Sequence, residues 1–224
     1  NVGTGAGTGV GGAISWTQRV TEFGFKIIDS TISNNNGPNG GGIYACSITT
    51  ILSSEISHNL SSSIGGGLAA ACSKTVISDS QITNNQSNYG GGIHVNADVS
   101  ITNSVLANNS GTGSEVYSQT NNSPKLTIEN SCIMDRSNSG LFDQAWYGTT
   151  VAKNNWWGSS SGPSGLGTGT GTTIVGQGVV YTPFKTSPVL GCGTLPIIGV
   201  NQTVAVAYNT PKSITVTAAD GKPP

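Results

Sequence analysis

Charged side chains are scarce in this chain: only 8% of its 224 residues are charged, with 9 basic and 10 acidic residues. Ordinary globular domains carry about 25% charged residues. Without a basic surplus the chain has little with which to neutralise phosphates, which argues against a nucleic-acid-binding protein. The Lys, Glu and Arg residues that usually cover helices are also missing, so a helical cytosolic enzyme is a poor fit.

Long apolar runs are absent as well. No run of 18 or more apolar residues is present, so we expect no membrane-spanning segment. Because the chain starts inside turn-like sequence, we expect further residues upstream of Asn1. Cysteines are few and lack the CxxC spacing of metal sites. Their even number fits two disulfides in an oxidising compartment, or four buried thiols: Cys46, Cys72, Cys132 and Cys192.

Small polar residues are abundant instead. Gly 33, Ser 29, Thr 26 and Asn 21 together make almost half of the chain. Hydrophobic residues still account for 35% and recur at regular spacing, which argues against disorder. The composition therefore indicates a β-rich, turn-rich protein of an extracellular type.

Two sequence landmarks recur with one shared period. The first is Gly-Gly-x-aliphatic, with aliphatic positions 29, 25, 25 and 23 residues apart: Ile14, Ile43, Leu68, Ile93 and Val116. The second, aliphatic-x-x-Ser-x-aliphatic-x-x-Asn, falls between copies of the first, and its central aliphatic residues are Ile32, Ile56, Ile82, Leu106 and Ile133. Interlocked landmarks of this kind indicate an internal repeat of about 25 residues.

A repeat of this length fits either a leucine-rich repeat or a coil of a β-solenoid. Leu is scarce here, and each copy consists of short β-type runs broken by Asn, Ser and Gly. We therefore predict an all-β fold, a parallel β-helix whose equivalent residues stack at about 4.8 Å. The two aliphatic sets should form inward columns. The Asn residues should form a ladder at a bend where Asn tolerates left-handed backbone: Asn35, Asn59, Asn85 and Asn109.

These motifs resemble a known family. The alternation of GGxI and IxxN resembles the right-handed parallel β-helix repeats of secreted bacterial surface proteins, including polymorphic outer-membrane proteins and pectate-lyase-like folds. The segment 153–163 resembles the NNWWG…GP segment that closes many such domains. The resemblance covers roughly residues 10–190 and implies a right-handed helix in an extracellular setting. We expect Trp156 and Trp157 to cover the last coil, although they could also bind sugar.

Residues 197–224 follow a different pattern, in which apolar residues alternate on either side of a turn at 209–212. The alternating residues are Val204, Val206, Tyr208, Ile214 and Val216. The pattern resembles the opening strands of an Ig-like or cadherin-like repeat, which needs about 100 residues. We therefore predict a β-helix over 1–190, with a closing segment over 151–190, and a linker with a two-strand, hairpin-like extension over 191–224. That extension packs on its own solenoid, joins a neighbouring subunit as added strands, or begins a longer domain.

Candidate catalytic groups are sparse. Asp29 and Asp79 share a column two coils apart, about 9.6 Å, near the upper separation for the carboxylates of inverting glycosidases. Because the same column also holds Ser53, Asn103 and Asn130, we interpret it as a solvated polar column. His58 and His94 lack partners at ligand spacing, so we predict no catalytic, metal or cofactor-binding residues.

Two further sets of residues are candidates for contacts. One outward column contains Tyr44, His94 and Tyr117, whose rings could stack on sugars. Cys46 and Cys72 occupy aligned positions of neighbouring coils, close enough for a disulfide. A Cys132–Cys192 disulfide would then tie the C-terminal extension to the solenoid.

These features favour an extracellular structural or adhesive surface protein: a spacer, an adhesin, or a fibre or filament subunit joined through its C-terminal strands. Its expected partners are copies of itself or cell-surface polysaccharide. The alternative is a polysaccharide lyase or glycoside hydrolase on the same fold. Ice binding is a third, weaker hypothesis, because the threonines form no regular T-x-T column.

Overall fold

The computed structural model describes residues 11–17, 24–119, 125–135, 139–144, 150–189 and Cys192. Every regular element in these ranges is a β-strand. The strands are, in chain order, β1 (Ile14–Trp16), β2 (Phe25–Ile28), β3 (Thr31–Ser33), β4 (Asn36–Asn39), β5 (Ile43–Ala45), β6 (Thr49–Leu52), β7 (Glu55–Ser57), β8 (Leu60–Ile64), β9 (Leu68–Ala70), β10 (Thr75–Ser78), β11 (Gln81–Thr83), β12 (Gln86–Tyr89), β13 (Ile93–Val95), β14 (Val99–Thr102), β15 (Val105–Ala107), β16 (Ser110–Thr112), β17 (Val116–Ser118), β18 (Leu126–Glu129), β19 (Cys132–Met134), β20 (Leu141–Asp143), β21 (Thr150–Val151), β22 (Pro163–Gly165), β23 (Gly171–Val175) and β24 (Val179–Val180).

The strands form four sheets that run along a solenoid. Sheet A has the order β1-β5-β9-β13-β17-β20-β23-β22, and sheet B the order β2-β6-β10-β14-β18-β21-β24. Sheet C is β19-β15-β11-β7-β3, and sheet D is β16-β12-β8-β4. A complete coil contributes one strand to each sheet, as β9 to β12 do. The predicted fold class is confirmed: the chain forms a right-handed parallel β-helix of about 6 turns, with coils roughly 25 residues apart.

Both predicted aliphatic columns lie in the core. In sheet A, Ile43, Leu68 and Ile93 face one another in register and are fully buried. In sheet C, Ile56 and Ile82 do the same. Sheet B adds a third column, whose members are Ile27, Ile51, Ile77, Ile101 and Ile128. Burial of each such side chain stabilises the fold by about 1.5–3 kcal/mol, so these columns are its main apolar support.

The predicted Asn ladder is confirmed, and it lies beside the corner between sheets C and D. Asn59 N and Asn59 Nδ2 donate to Asn85 Oδ1 over 2.9 and 3.0 Å. Asn59 Nδ2 also donates to the Ile32 carbonyl over 2.9 Å. The same pattern joins Asn35 to Asn59 and Asn85 to Asn109. Each buried amide therefore bridges its neighbours while satisfying backbone groups that the corner leaves unpaired.

A ladder of serines lines the corner between sheets B and C. The backbone N of each serine donates to the hydroxyl of the serine in the next coil over 3.1 to 3.2 Å. Its members are Ser30, Ser54, Ser80, Ser104 and Ser131. In the closing segment Asn155 replaces the next serine, and its Oδ1 accepts from Ser131 N over 2.9 Å. The second Asn of the NNWWG motif thus ends this ladder.

The prediction of left-handed backbone at the ladder asparagines is wrong by one position. Positive φ, between 56° and 59°, occurs at the preceding residues Asn34, His58, Asn84 and Asn108. The left-handed residue turns the chain, and the following Asn can then point into the core. A second left-handed column, with φ between 47° and 50°, contains Asp29, Ser53, Asp79, Asn103 and Asn130.

The glycine corner between sheets D and A allows adjacent coils to pass closely. Gly90 has φ of 63°, a left-handed value that favours glycine. A Cβ on Gly91 would lie 2.4 Å from the Ser110 carbonyl oxygen. The repeated glycines are therefore required by geometry and are not a sign of low complexity.

Aromatic side chains occupy the ends of the described solenoid. In the first coil the rings of Trp16 and Phe25 lie 6.0 Å apart, and 45% of Trp16 is exposed. In the last coil Trp157 is fully buried, and Phe184 packs against the same core. Strand β22 pairs with the outer edge of β23 and covers that edge of sheet A.

Candidate functional site

A stack of rings lies on the outer face of sheet A. The sheet register places His94 beside Tyr117 and Tyr117 beside Phe142. The ring centroids of His94 and Tyr117 are 5.5 Å apart, and those of Tyr117 and Phe142 are 5.3 Å apart. Tyr89, at the end of β12, tilts against Tyr117 with centroids 5.3 Å apart. We call these four residues the aromatic patch.

Amide side chains hold the two central rings of the patch. Tyr117 donates its phenolic hydrogen to Gln144 Oε1 over 2.7 Å. His94 Nε2 lies 3.3 Å from Gln119 Oε1. Burial lowers the pKa of His94, and the contact with Gln119 opposes that shift in part. The lowered pKa favours the neutral imidazole, and in the tautomer that carries hydrogen on Nε2 this atom donates to Gln119 Oε1.

The central rings are buried, and the outer rings face solvent. His94 and Tyr117 are 3% and 5% exposed, whereas Tyr89 is 46% exposed and Phe142 is half-buried. Burial raises the pKa of Tyr117, and the neighbouring Tyr89 adds to the rise. The patch therefore consists of a rigid base of stacked rings with exposed aromatic surface at Tyr89.

The structure brings together only part of the predicted sugar-contact column. His94 and Tyr117 stack, but Ala69 separates Tyr44 from His94 in the sheet register. Sequence reasoning missed Phe142 and Tyr89. Phe142 could have been found, because Gly140-Leu141 continues the first landmark one coil further. Tyr89 gave no such signal, since it precedes the glycine corner.

The column that contains Asp29 and Asp79 lines a shallow groove of about 320 Å³. Glu55 from the intervening coil lines it too, together with Gln81 and hydroxyl side chains. Glu55 Oε1 accepts from the Ser57 hydroxyl over 2.7 Å. The groove thus brings three carboxyl groups to one corner, one more than the sequence alignment of this column predicts.

A buried carboxyl group ends the Asn ladder. Glu115 is fully buried, and its oxygens accept from the backbone N and Nδ2 of Asn109. In the sheet register Glu115 aligns with Gly92 of the preceding coil, a position at which the other coils carry glycine. Burial raises the pKa of Glu115 well above its usual range. The hydrogen bonds from Asn109 oppose the rise, and Asp135 adds to it. This carboxyl group supplies the hydrogen-bond acceptors at the end of the ladder, and because it is enclosed it is not a site for substrate.

Both predicted disulfides are present in the structure. Cys46 and Cys72 join neighbouring coils with Cα atoms 4.4 Å apart, and Cys132 and Cys192 lie 5.5 Å apart. Cys132 and Cys192 belong to an apolar group outside sheet C, the flank cluster, whose members are Val105, Ala107, Cys132, Cys192, Met134, Trp156 and Val189. Of the two tryptophans, Trp157 therefore lies in the core and Trp156 packs on this flank.

Several predictions concern residues beyond the described ranges. The predicted intersubunit residues fall outside them: Val204, Val206, Tyr208, Ile214 and Val216. Within the described ranges, no group of three or more His, Cys, Asp or Glu side chains is arranged to hold a metal ion. The same ranges contain no helix of sufficient length and apolarity to cross a membrane.

The four parallel sheets and their stacked ladders define a right-handed β-helix protein. The chain belongs to that family, since the family model described as "Right handed beta helix region" matches residues 12–179. Comparison with curated proteins found no match, and comparison with solved structures found none either. Because this fold serves enzymes and non-enzymes alike, the function has to be argued from the side chains.

Proposed function

We propose that this protein is an extracellular β-helix with a structural and adhesive role, and that it binds polysaccharide through the aromatic patch. The observation that carries the proposal is the exposed ring of Tyr89 held against a stacked base of Tyr117 and Phe142. Aromatic rings offer large, rigid contact area at little entropic cost. The C–H faces of sugar rings pack well on such surfaces.

The immediate surroundings of the patch suit a neutral ligand. The described side chains that hydrogen-bond to its rings are the amides of Gln119 and Gln144, and burial lowers the pKa of His94, which favours its uncharged form. Sugar hydroxyl groups both donate and accept hydrogen bonds, as amides do. A neutral or weakly charged polysaccharide is therefore the ligand class we favour.

Two disulfides support the extracellular part of the proposal. Disulfides persist in oxidising compartments and are rare in the cytosol. Cys46–Cys72 joins neighbouring coils that the strand register already brings together, and Cys132–Cys192 joins β19 to a residue packed in the flank cluster. They therefore reinforce a finished fold, as expected of a protein exposed outside the cell.

Binding to the neutral polymers cellulose and chitin, both in insoluble form, tests the adhesive role. We expect the protein to bind at least one of them, and Tyr89→Ala to weaken that binding about fivefold, because an aromatic contact contributes about 1 kcal/mol. The matched control is Leu60→Ala, since Leu60 is 41% exposed but lies on sheet D outside the patch. Failure to bind any of these polymers, or equal losses in both variants, would contradict the proposal.

A filament role would depend on the predicted strands over 197–224. Strand β22 is the outermost described strand of sheet A, and an edge strand of this kind offers backbone groups with which an added strand can pair. We therefore propose that self-association, where it occurs, uses the C-terminal strands. Electron micrographs of the full chain should show filaments that a variant ending at residue 196 does not form. Filament formation by the shortened variant would contradict self-association through the C-terminal strands.

A carbohydrate-active enzyme is the second candidate, and the acidic groove favours it. Asp29 and Asp79 are two coils apart, about 9.6 Å, and Glu55 lies between them. Such spacing approaches that of inverting glycosidases, about 6.5–9.5 Å. Release of reducing ends from pectin or alginate, lost in Asp79→Asn and kept in Asn103→Asp, would establish this activity. Absence of product with all substrates would remove it.

A further inference from the structure

The chain turns back along the outside of the solenoid after its last strand. Strand β24 pairs with β21 at the end of sheet B, and Lys185 N then donates to the Asn155 carbonyl over 2.9 Å. Val189 packs on the flank cluster beside Trp156 and Met134. Cys192 reaches β19, where it is 4% exposed and bonded to Cys132. Residues 185–189 and Cys192, which we call the strap, therefore connect the last coil to an earlier one.

The strap closes a loop around the whole C-terminal end. Its disulfide joins residues separated by 60 positions. All strands from β20 to β24 lie between them, as do Trp157 and Phe184, the aromatic residues of the last coil. Every residue after Cys192 is thus connected to the solenoid through two routes, the chain itself and the Cys132–Cys192 bond.

We infer that this disulfide is a tension clamp, which carries a pulling force from the C-terminal side directly into β19 and spares the last coils. Without it, the force would reach β24 first. That strand has two residues and pairs only with β21, so it would separate from the sheet easily. With the disulfide, the force enters β19, which pairs with β15 on one side and bridges to Trp156 on the other.

The flank cluster supports the clamp. Cys132 is 1% exposed and Ala107 is 1% exposed, so the disulfide is anchored in packed apolar surface and shielded from water. Outward positions of sheet C are apolar only near this anchor. The equivalent positions of earlier coils are Thr31, Glu55 and Gln81. The sequence of sheet C therefore changes from polar to apolar where the strap docks.

Cys46–Cys72 provides a matched control. It joins residues 26 positions apart and lies among the early coils, so it encloses no part of the C-terminal end. Loss of either disulfide removes one covalent link. Only loss of Cys132–Cys192 should expose the last coils to tension.

Force spectroscopy on the full chain, held at both termini, tests the clamp. Oxidised protein should show no early release of the last coils. The double variant Cys132→Ser, Cys192→Ser should show an additional early transition of about 200 Å, the contour length of 60 residues at about 3.3–3.6 Å each. The variant Cys46→Ser, Cys72→Ser should lack that transition. If residues 133–191 instead unfold together with the main solenoid in the Cys132→Ser, Cys192→Ser variant, the inference is overturned.

A reduction experiment covers the case in which the first variant does not fold. In Cys46→Ser, Cys72→Ser the Cys132–Cys192 bond is the single disulfide that remains. A dithiol such as dithiothreitol donates two electrons and two protons to it, forming two thiols and its own cyclic disulfide. The early transition should appear after this reduction and not before, and its absence would overturn the clamp. This inference deepens the structural half of the proposed function, but its test uses no polysaccharide, so the two can fail separately.

Discussion

Replacing Asn85 by Ala tests how much one rung of the Asn ladder contributes to stability. Asn85 Oδ1 accepts from the backbone N and Nδ2 of Asn59, and its Nδ2 donates to the Ile56 carbonyl and to Asn109 Oδ1. At about 0.5–1.5 kcal/mol for each net hydrogen bond, the substitution loses about 2–6 kcal/mol. It also leaves the buried Asn59 N–H without its acceptor. We expect a loss of about 3–5 kcal/mol, a large part of the about 5–15 kcal/mol that stabilises most folds.

Two other asparagines serve as controls. Asn35 is the first described member of the ladder, and its side chain makes two hydrogen bonds as a donor. Asn35→Ala should therefore cost about 1–3 kcal/mol, without the further cost of an unpaired backbone N–H. Asn88 is exposed and donates once, to the Ser62 carbonyl, so Asn88→Ala should cost less than about 1 kcal/mol. Urea unfolding followed by circular dichroism gives all three values. Equal losses for Asn85→Ala and Asn35→Ala would refute the idea that interior rungs stabilise through accepted and donated bonds together.

Three further predictions concern the ladder end, the glycine corner and the disulfides. The folded-state pKa of Glu115 is raised, so the free energy of unfolding should fall as the pH rises from the ordinary glutamate pKa toward the folded-state pKa. In urea titrations at several pH values, Glu115→Gln should remove that fall. Gly91→Ala places a Cβ against backbone and should cost at least about 2 kcal/mol, more than Gly158→Ala, in thermal unfolding. Removing Cys132–Cys192 should cost about 4 kcal/mol and removing Cys46–Cys72 about 3.5 kcal/mol, from loops of 60 and 26 residues.

Most of the fold could be predicted because each coil repeats the same few requirements. Glycine is needed where coils pass within van der Waals contact, as at Gly91. An aliphatic residue is needed where a strand faces the core, as at Ile82. Asn is needed where a corner leaves backbone groups unpaired, as at Asn85. Repetition made each requirement visible several times.

Departures from the repeat were harder to predict. Glu115 stands where other coils carry glycine, and its carboxyl group takes the role of the next ladder Asn. That role depends on the absence of an Asn one coil later, a relation that no local pattern expresses. The flank cluster left a weak signal, since β15 reads Val-Leu-Ala where earlier strands of sheet C alternate polar and apolar residues. An apolar outward face indicates a covering segment, but not which segment covers it.

The aromatic patch shows the limit of sequence reasoning for the site. The column through His94 and Tyr117 followed from the repeat. The burial of these rings could not be predicted from the repeat, because it depends on two further rings: Phe142 on another strand and Tyr89 in another sheet. As a result, the residue that sequence reasoning missed, Tyr89, carries the exposed surface of the proposed polysaccharide contact.

We propose a disulfide-reinforced β-helix that acts outside the cell, and one measurement tests this proposal most directly. Peptide mapping by mass spectrometry, without reduction, of protein recovered from the cell exterior reports both the coil register and the strap. We predict two linked peptide pairs, Cys46 with Cys72 and Cys132 with Cys192. Four free thiols, or any other pairing, would contradict the account.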